Sequence, residues 1–142
     1  MIIRKFGVLA ALALVLAQTT SVWAHGSIAV GQTNDVAKDG LAIGYTWNYS
    51  DKGSAEADAL KQCLSFQDAP DRTRALCKVV QDFQNECLAV SLDPAAGTEG
   101  FGWAVSSTDK QASARALQTC RDTDGPDHQA DCKVTAVKCD GK

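Results

Sequence analysis

The sequence has only two histidines, and its six cysteines include no Cys-x-x-Cys pair. Structural zinc sites are built on such pairs together with clustered histidines, so we do not expect one here. The sequence also lacks Gly-x-Ser-x-Gly, His-Glu-x-x-His and a phosphate-binding glycine loop. These patterns carry acyl transfer, zinc-dependent hydrolysis and nucleotide binding. We therefore predict that the protein is not an enzyme and needs no cofactor.

Positive charge is not in excess, because the formal net charge is −3. Nucleic acids are bound through basic faces that contact the phosphates, so no nucleic acid partner is expected.

Long apolar runs are absent, with one exception near the start. Residues 6–17 form a continuous apolar run that follows Arg4 and Lys5, and small residues precede a cleavage point after Ala24. This order is typical of a secretory signal peptide, and the run is too short for a comfortable membrane span. We predict a signal peptide at residues 1–24 and one domain at 25–142, with net charge −5, no membrane span and a periplasmic or secreted location.

The six cysteines all follow the predicted cleavage point. An even number of cysteines in a small exported domain indicates disulfides, so we predict three.

Four short segments occur twice in the same order. The first copy reads SIAVG (27–31), GYTW (44–47), DKGSAEADALKQC (51–63) and CKVV (77–80), and the second reads CLAVS (87–91), GFGW (100–103), DKQASARALQTC (109–120) and CKVT (132–135). We interpret this as a tandem duplication, with the first repeat at 25–84 and the second at 86–142.

Each repeat predicts two strands, a helix and a third strand. The strands are short β-branched or aromatic runs between turn residues. The helices are alanine-rich, and the second begins with the capping box Thr108-x-x-Gln111. The fold class is therefore α+β: a duplicated β-β-α-β unit, with an antiparallel sheet, two helices packed on it and three disulfides.

The repeat also predicts which cysteines pair. Each repeat has a cysteine in the last helical turn and another opening the final strand, separated by 14 and 12 residues of turn-rich sequence. Cys87 and Cys139 remain, with Ser27 and roughly Gln84 in their places in the first copy. The predicted pairs are Cys63–Cys77, Cys120–Cys132 and Cys87–Cys139.

Trp47 and Trp103 occupy equivalent places in this alignment. Aromatic residues on strands can stack on a sugar or peptide, but a small domain needs them in its core. We therefore predict that both are core residues.

His25 would be the first residue after cleavage. Its terminal amine and imidazole, with His128, could form a three-nitrogen copper site, although nothing in the sequence brings the two histidines together. The acids of DTDGPD (122–127) depart from the calcium-loop pattern, so we interpret that segment as a turn.

The combination of Gly-aromatic-x-Trp on a strand, ALxxC at a helix end and CKV opening a strand resembles the bacterial domain of unknown function 4189 family, over residues 26 to 139. The resemblance implies an exported domain with internal disulfides and carries over no catalytic residues. We expect a binding module for a periplasmic or extracellular protein, for example a neutraliser of an exported toxin or hydrolase. Copper binding at His25 is the alternative, and the loops at 32–40 and 121–131 are where the copies differ.

Overall fold

The structure is a computed structural model that describes residues 23–141. The predicted signal peptide therefore lies outside the described residues, apart from its last two positions. Within the described part of the chain, no helix is both long enough and apolar enough to cross a membrane.

The described chain contains six strands and four helices. The first repeat forms β1 (His25–Gln32), α1 (Val36–Asp39), β2 (Leu41–Tyr49), α2 (Lys52–Leu64), α3 (Asp71–Arg74) and β3 (Lys78–Gln84), and the second forms β4 (Cys87–Leu92), β5 (Phe101–Ser106), α4 (Asp109–Asp124) and β6 (Lys133–Cys139). The predicted α+β class and the β-β-α-β unit are confirmed. The one-turn helices α1 and α3 lie within segments whose turn residues predict loops.

The strands form two antiparallel sheets, one per repeat. Their orders are β2-β1-β3 and β5-β4-β6, so the first strand of each repeat lies in the centre of its sheet. Helix α4 begins at the predicted cap Thr108, whose side chain accepts a hydrogen bond from the Gln111 amide. Helix α2 begins after Asp51, whose side chain accepts a hydrogen bond from the Ser54 amide.

The two sheets pack face to face, and each helix covers the outer face of its own sheet. Large residues from both repeats, including Ile28, Phe83, Leu88 and Phe101, form the central layer between the sheets. Small residues fill the two outer layers, which contain Ala29, Ala42 and Ala59 in one repeat and Ala89, Ala112 and Ala116 in the other. The order of layers is helix, sheet, sheet, helix.

Glycine on the second strand lets each helix approach its sheet closely. A Cβ at Gly44 would lie 2.1 Å from the Ala59 carbonyl oxygen, and one at Gly102 would lie 2.2 Å from the Ala116 carbonyl oxygen. Both clashes are with helix backbone, which cannot move aside as a side chain could. Gly44 and Gly102 are therefore structural equivalents.

In the first two strands of each repeat, the equivalence given by the structure differs by two residues from the equivalence given by the sequence alignment. Ala29 pairs with Gly44 and Val79, whereas Ser91 pairs with Gly102 and Val134. The irregularity in the β1–β3 pairing follows Ile28, and that in the β4–β6 pairing follows Val90, as this offset requires. His25, rather than Ser27, is consequently the counterpart of Cys87.

Two disulfides join a helix to the segment that leads into the last strand of its repeat, and the third joins β4 to β6 within one sheet. They join Cys63 to Cys77, Cys120 to Cys132 and Cys87 to Cys139, the pairs named from the repeat. No cysteine of the described chain is free. Helix α4 continues one turn past Cys120 to Asp124, so the prediction that this cysteine lies in the last turn is wrong in the second repeat.

Candidate functional site

At one side of the molecule the edge strands β2 and β6 meet and close the gap between the sheets. Trp47 lies 6.3 Å from Tyr45, measured between ring centroids, and the Lys138 ammonium sits 4.4 Å from the centroid of the Trp47 ring. The Asn48 amide donates to Asp140 Oδ1 at 2.7 Å, and the Gly141 amide donates to Asn48 Oδ1 at 2.8 Å. Residues of the two repeats therefore contact each other along this edge.

Trp47 is 37% exposed, so the prediction that it is a core residue is wrong. The two-residue offset explains the error, because the true counterpart of Trp103 is Tyr45 and that of Trp47 is Val105. Trp103 is partly buried and packs against the central layer.

At the other side, the edge strands β3 and β5 border an open groove. Two adjoining clefts of about 420 and 470 Å³ share Gln32, Thr33, Asn34 and Trp103 among their lining residues. The first extends along α4 to Thr119 and Thr123, and the second extends along β3 to Leu76, Lys78 and Val80. We call this feature the Trp103 groove. Pockets of this size accept small ligands or side chains of a partner.

The loop that forms one wall of the groove is held in place by hydrogen bonds. Thr33 Oγ1 donates to Asp39 Oδ2 at 2.9 Å, and the guanidinium of Arg72 lies 2.6 Å from Asp39 Oδ1. The Thr33 hydroxyl, followed by Arg72, holds the pKa of the Asp39 carboxyl below its usual value. The Ala37 amide also donates to Glu99 of the second repeat at 3.3 Å. These contacts connect the loop to α3 and to the second repeat.

His25 and His128 lie in different repeats. His25 opens β1, where its imidazole Nε2 is 3.3 Å from Gln84 Nε2 in the directly opposed position of β3. His128 lies in the segment between α4 and β6, close to Asp93 and Asp131. Within residues 23–141, His25 belongs to no group of three residues that could hold a metal ion.

The DTDGPD segment contains the end of a helix. Asp124 is the last residue of α4, and Gly125, with φ of 78°, ends the helix. The Asp122 carboxylate accepts a hydrogen bond from Gln118 within the helix. Asp124 is buried next to Asp93, and both burial and the Asp93 charge raise its pKa.

Comparison with known families identifies the domain. The family model described as "Domain of unknown function (DUF4189)" matches residues 25–139. The chain belongs to the DUF4189 family. No curated protein and no solved structure matches it.

Sequence reasoning missed two features of this DUF4189 domain. The first is the Trp103 groove, which joins residues from five elements of both repeats. The second is the contact of Asp93 with Asp124, which lies far from it along the chain. The two unshared segments named from the sequence, 32–40 and 121–131, both contribute to the groove, the second through Thr123. The disulfides of the DUF4189 domain are typical of an oxidising compartment outside the cytoplasm.

Proposed function

We propose that the protein is an exported, disulfide-stabilised binding module that holds a segment of a partner protein in the Trp103 groove. The observation that carries the proposal is that two adjoining clefts share Trp103 and residues 32–34 as a common wall. Tryptophan is among the residues that most often dominate binding energy at protein interfaces, especially within a polar rim.

The chemistry of the groove favours a peptide segment. Its lining includes apolar side chains of Trp103, Leu76 and Val80, and Leu76 is 48% exposed. Amides and hydroxyls, such as the amide of Asn34, make up much of the polar lining, and Lys78 and Glu99 add one charge of each sign. Neutral donors and acceptors suit the main chain of an extended segment, while an apolar side chain of that segment would pack against the indole.

Export is part of the proposal. It rests on the signal-like sequence at residues 1–24 and on the disulfide content, which matches an oxidising compartment.

Affinity capture from periplasmic and culture-supernatant fractions tests the binding function. We expect the protein to retain a partner that is lost with Asn34→Arg, because this exposed residue borders both clefts and an arginine there would fill them. The matched control is Ala57→Arg, which adds the same side chain on the exposed face of α2, outside the groove. Retention of the same partner by both variants, or of no protein at all, would contradict the proposal.

Copper binding at His25 stays a prediction that requires cleavage after Ala24. A copper titration of processed protein with and without His25→Ala tests it. An unchanged absorption spectrum on adding copper to the unsubstituted protein would end this alternative.

A further inference from the structure

A cluster of potential metal ligands lies between the end of β4 and the segment after α4. One ligand atom from each of Asp93, His128 and Asp131 lies within 4.8 Å of the other two. His128 Nδ1 and Asp131 Oδ2 are 3.7 Å apart. Ligand atoms around a tetrahedral Zn²⁺ ion, each about 2.0–2.2 Å from the metal, are roughly 3.3 Å apart, so only a small closure would be needed.

The backbone positions these side chains. The His128 amide donates to the Gly125 carbonyl, and the Asp131 amide donates to the His128 carbonyl at 2.8 Å. The Asp93 amide donates to the Gly100 carbonyl at 3.0 Å, which fixes Asp93 at the end of β4. The ligand set therefore comes from two separately anchored segments.

Two buried carboxyl groups lie next to each other in this region. Asp93 is 8% exposed and Asp124 is 6% exposed, and the two side chains lie within hydrogen-bond reach of each other. Asp93 Oδ2 and Asp124 Oδ1 receive no hydrogen bond from any other group. No lysine or arginine of residues 23–141 forms a salt bridge with either carboxylate. Two adjacent buried carboxyl groups are costly when both are charged, and a bound cation would offset that cost.

Neighbouring groups keep this carboxylate pair in place. The other oxygen of Asp93 accepts the Ala95 amide at 2.8 Å, which leaves Oδ2 available. A Cβ at Gly100 would lie 2.6 Å from the Asp124 carboxyl carbon, so glycine is needed there for Asp124 to sit beside Asp93.

We propose that Asp93, His128 and Asp131 bind one divalent cation of the Zn²⁺ class, with Asp124 adding negative charge beside Asp93. Carboxylate oxygens alone would favour Mg²⁺ or Ca²⁺, but an imidazole in the set shifts the preference to zinc-like ions. Three protein ligands would leave a fourth position for water or for a group of a partner molecule.

The site belongs to the second repeat alone. The two-residue offset places Gly31 opposite Asp93 in the superposed repeats, and a glycine offers no side-chain ligand there. A Cβ at Gly31 would lie 2.5 Å from the Thr73 carbonyl oxygen, so the first repeat has no room for an aspartate at this position.

Competition of the untagged protein with a chromogenic zinc chelator tests the proposal. We expect one Zn²⁺ per chain and an affinity at least tenfold weaker in His128→Ala. His128 is exposed, so this substitution leaves the core intact. The matched control is His25→Ala, which removes the other histidine and should retain the affinity.

Asp93→Asn gives a second measurement, because it keeps the shape of the side chain and removes its charge. We expect it to weaken Zn²⁺ binding at least tenfold as well. Absence of stoichiometric Zn²⁺ binding would overturn the proposal, as would equal losses in His128→Ala and His25→Ala. Wild-type affinity in His128→Ala would overturn it too, because the imidazole would then not be a ligand.

Discussion

His25 and Gln84 face each other across β1 and β3 at the position where Cys87 and Cys139 are joined in the second repeat. Both pairs are directly opposed in their ladders, and the two-residue offset makes them equivalent. The first repeat therefore has a side-chain contact where the second has a covalent bond.

A fourth disulfide should form in the double variant His25→Cys/Gln84→Cys. Because the equivalent positions already hold a disulfide, the two new sulfurs should come within bonding reach, and the bridge should stabilise the fold by up to about 2–4 kcal/mol. Thiol titration of the unfolded protein should find no free thiol. The control is Ser27→Cys/Gln84→Cys, in which residue 27 is opposed to Asp82 and should leave two free thiols. Closure of the control pair alone would contradict the superposition.

Removing the native disulfides should have unequal effects. The Cys87–Cys139 bridge closes 52 residues and the Cys63–Cys77 bridge closes 14. The chain-entropy model gives losses of about 4 and about 3 kcal/mol in the free energy of unfolding when both cysteines of a pair become alanine. Urea denaturation of the two double variants measures the difference. A larger loss from the shorter loop would show that chain entropy is not the controlling term.

Gly44→Ala and Gly102→Ala should both be strongly destabilising. Each new methyl group would meet helix backbone, and the helix would have to move away from the sheet. We expect a loss of at least about 2 kcal/mol in the free energy of unfolding for each. Gly53→Ala, within α2, is the control. A Cβ there would lie no closer than 3.5 Å to its nearest neighbour, and alanine in a helix should raise the free energy of unfolding by up to about 1 kcal/mol. An unchanged free energy of unfolding in Gly44→Ala would mean that the helix can move away from its sheet without loss of stability.

The carboxyl of Asp140 should make stability depend on pH. Burial raises the pKa of this carboxyl in the folded state. The contribution of Asp140 to stability is therefore complete below the unfolded-state pKa of about 3.9, and it is lost as pH rises through the folded-state pKa. Asp140→Asn keeps an acceptor for the Asn48 amide and carries no charge. Its melting temperature relative to wild type should therefore be higher at pH 7 than at pH 3.

Asp51→Asn provides a control of opposite sign. The Ser54 amide at the start of α2 holds the pKa of the Asp51 carboxyl below its usual value, so the stabilising effect of this group is present above the unfolded-state pKa and is lost as pH falls. The melting temperature of this variant relative to wild type should be lower at pH 7 than at pH 3. If the melting temperature of Asp140→Asn differed from that of wild type by the same amount at both pH values, the raised pKa of Asp140 would be contradicted.

The sequence was sufficient to predict the elements of each repeat but not their alignment. Side chains alternate between the faces of a strand with a period of two, so an offset of two residues leaves every inward residue inward. SIAVG matches CLAVS in letters, yet Ile28 occupies the place of Val90. The strand pairing decides the alignment because the close helix contacts of Gly44 and Gly102 cannot shift by two residues.

The candidate sites were less predictable because they depend on distant residues. Asp93-Pro94 has the composition of a turn, and nothing in the sequence places it near Asp124 or His128. The Trp103 groove similarly requires the approach of β3 and β5 from different sheets. Local patterns predict caps and strands, whereas these contacts arise only when the two sheets pack.

The central layer also makes each repeat dependent on the other. A lone repeat would be one sheet with a helix on a single face, exposing Ile28, Val30 and Phe83 to water. A chain of about 60 residues has only marginal stability, so each repeat depends on the other to keep this face from water. Just two residues, Asn85 and Glu86, now join β3 to β4. With so short a connection, each repeat covers the apolar face of the other within one chain.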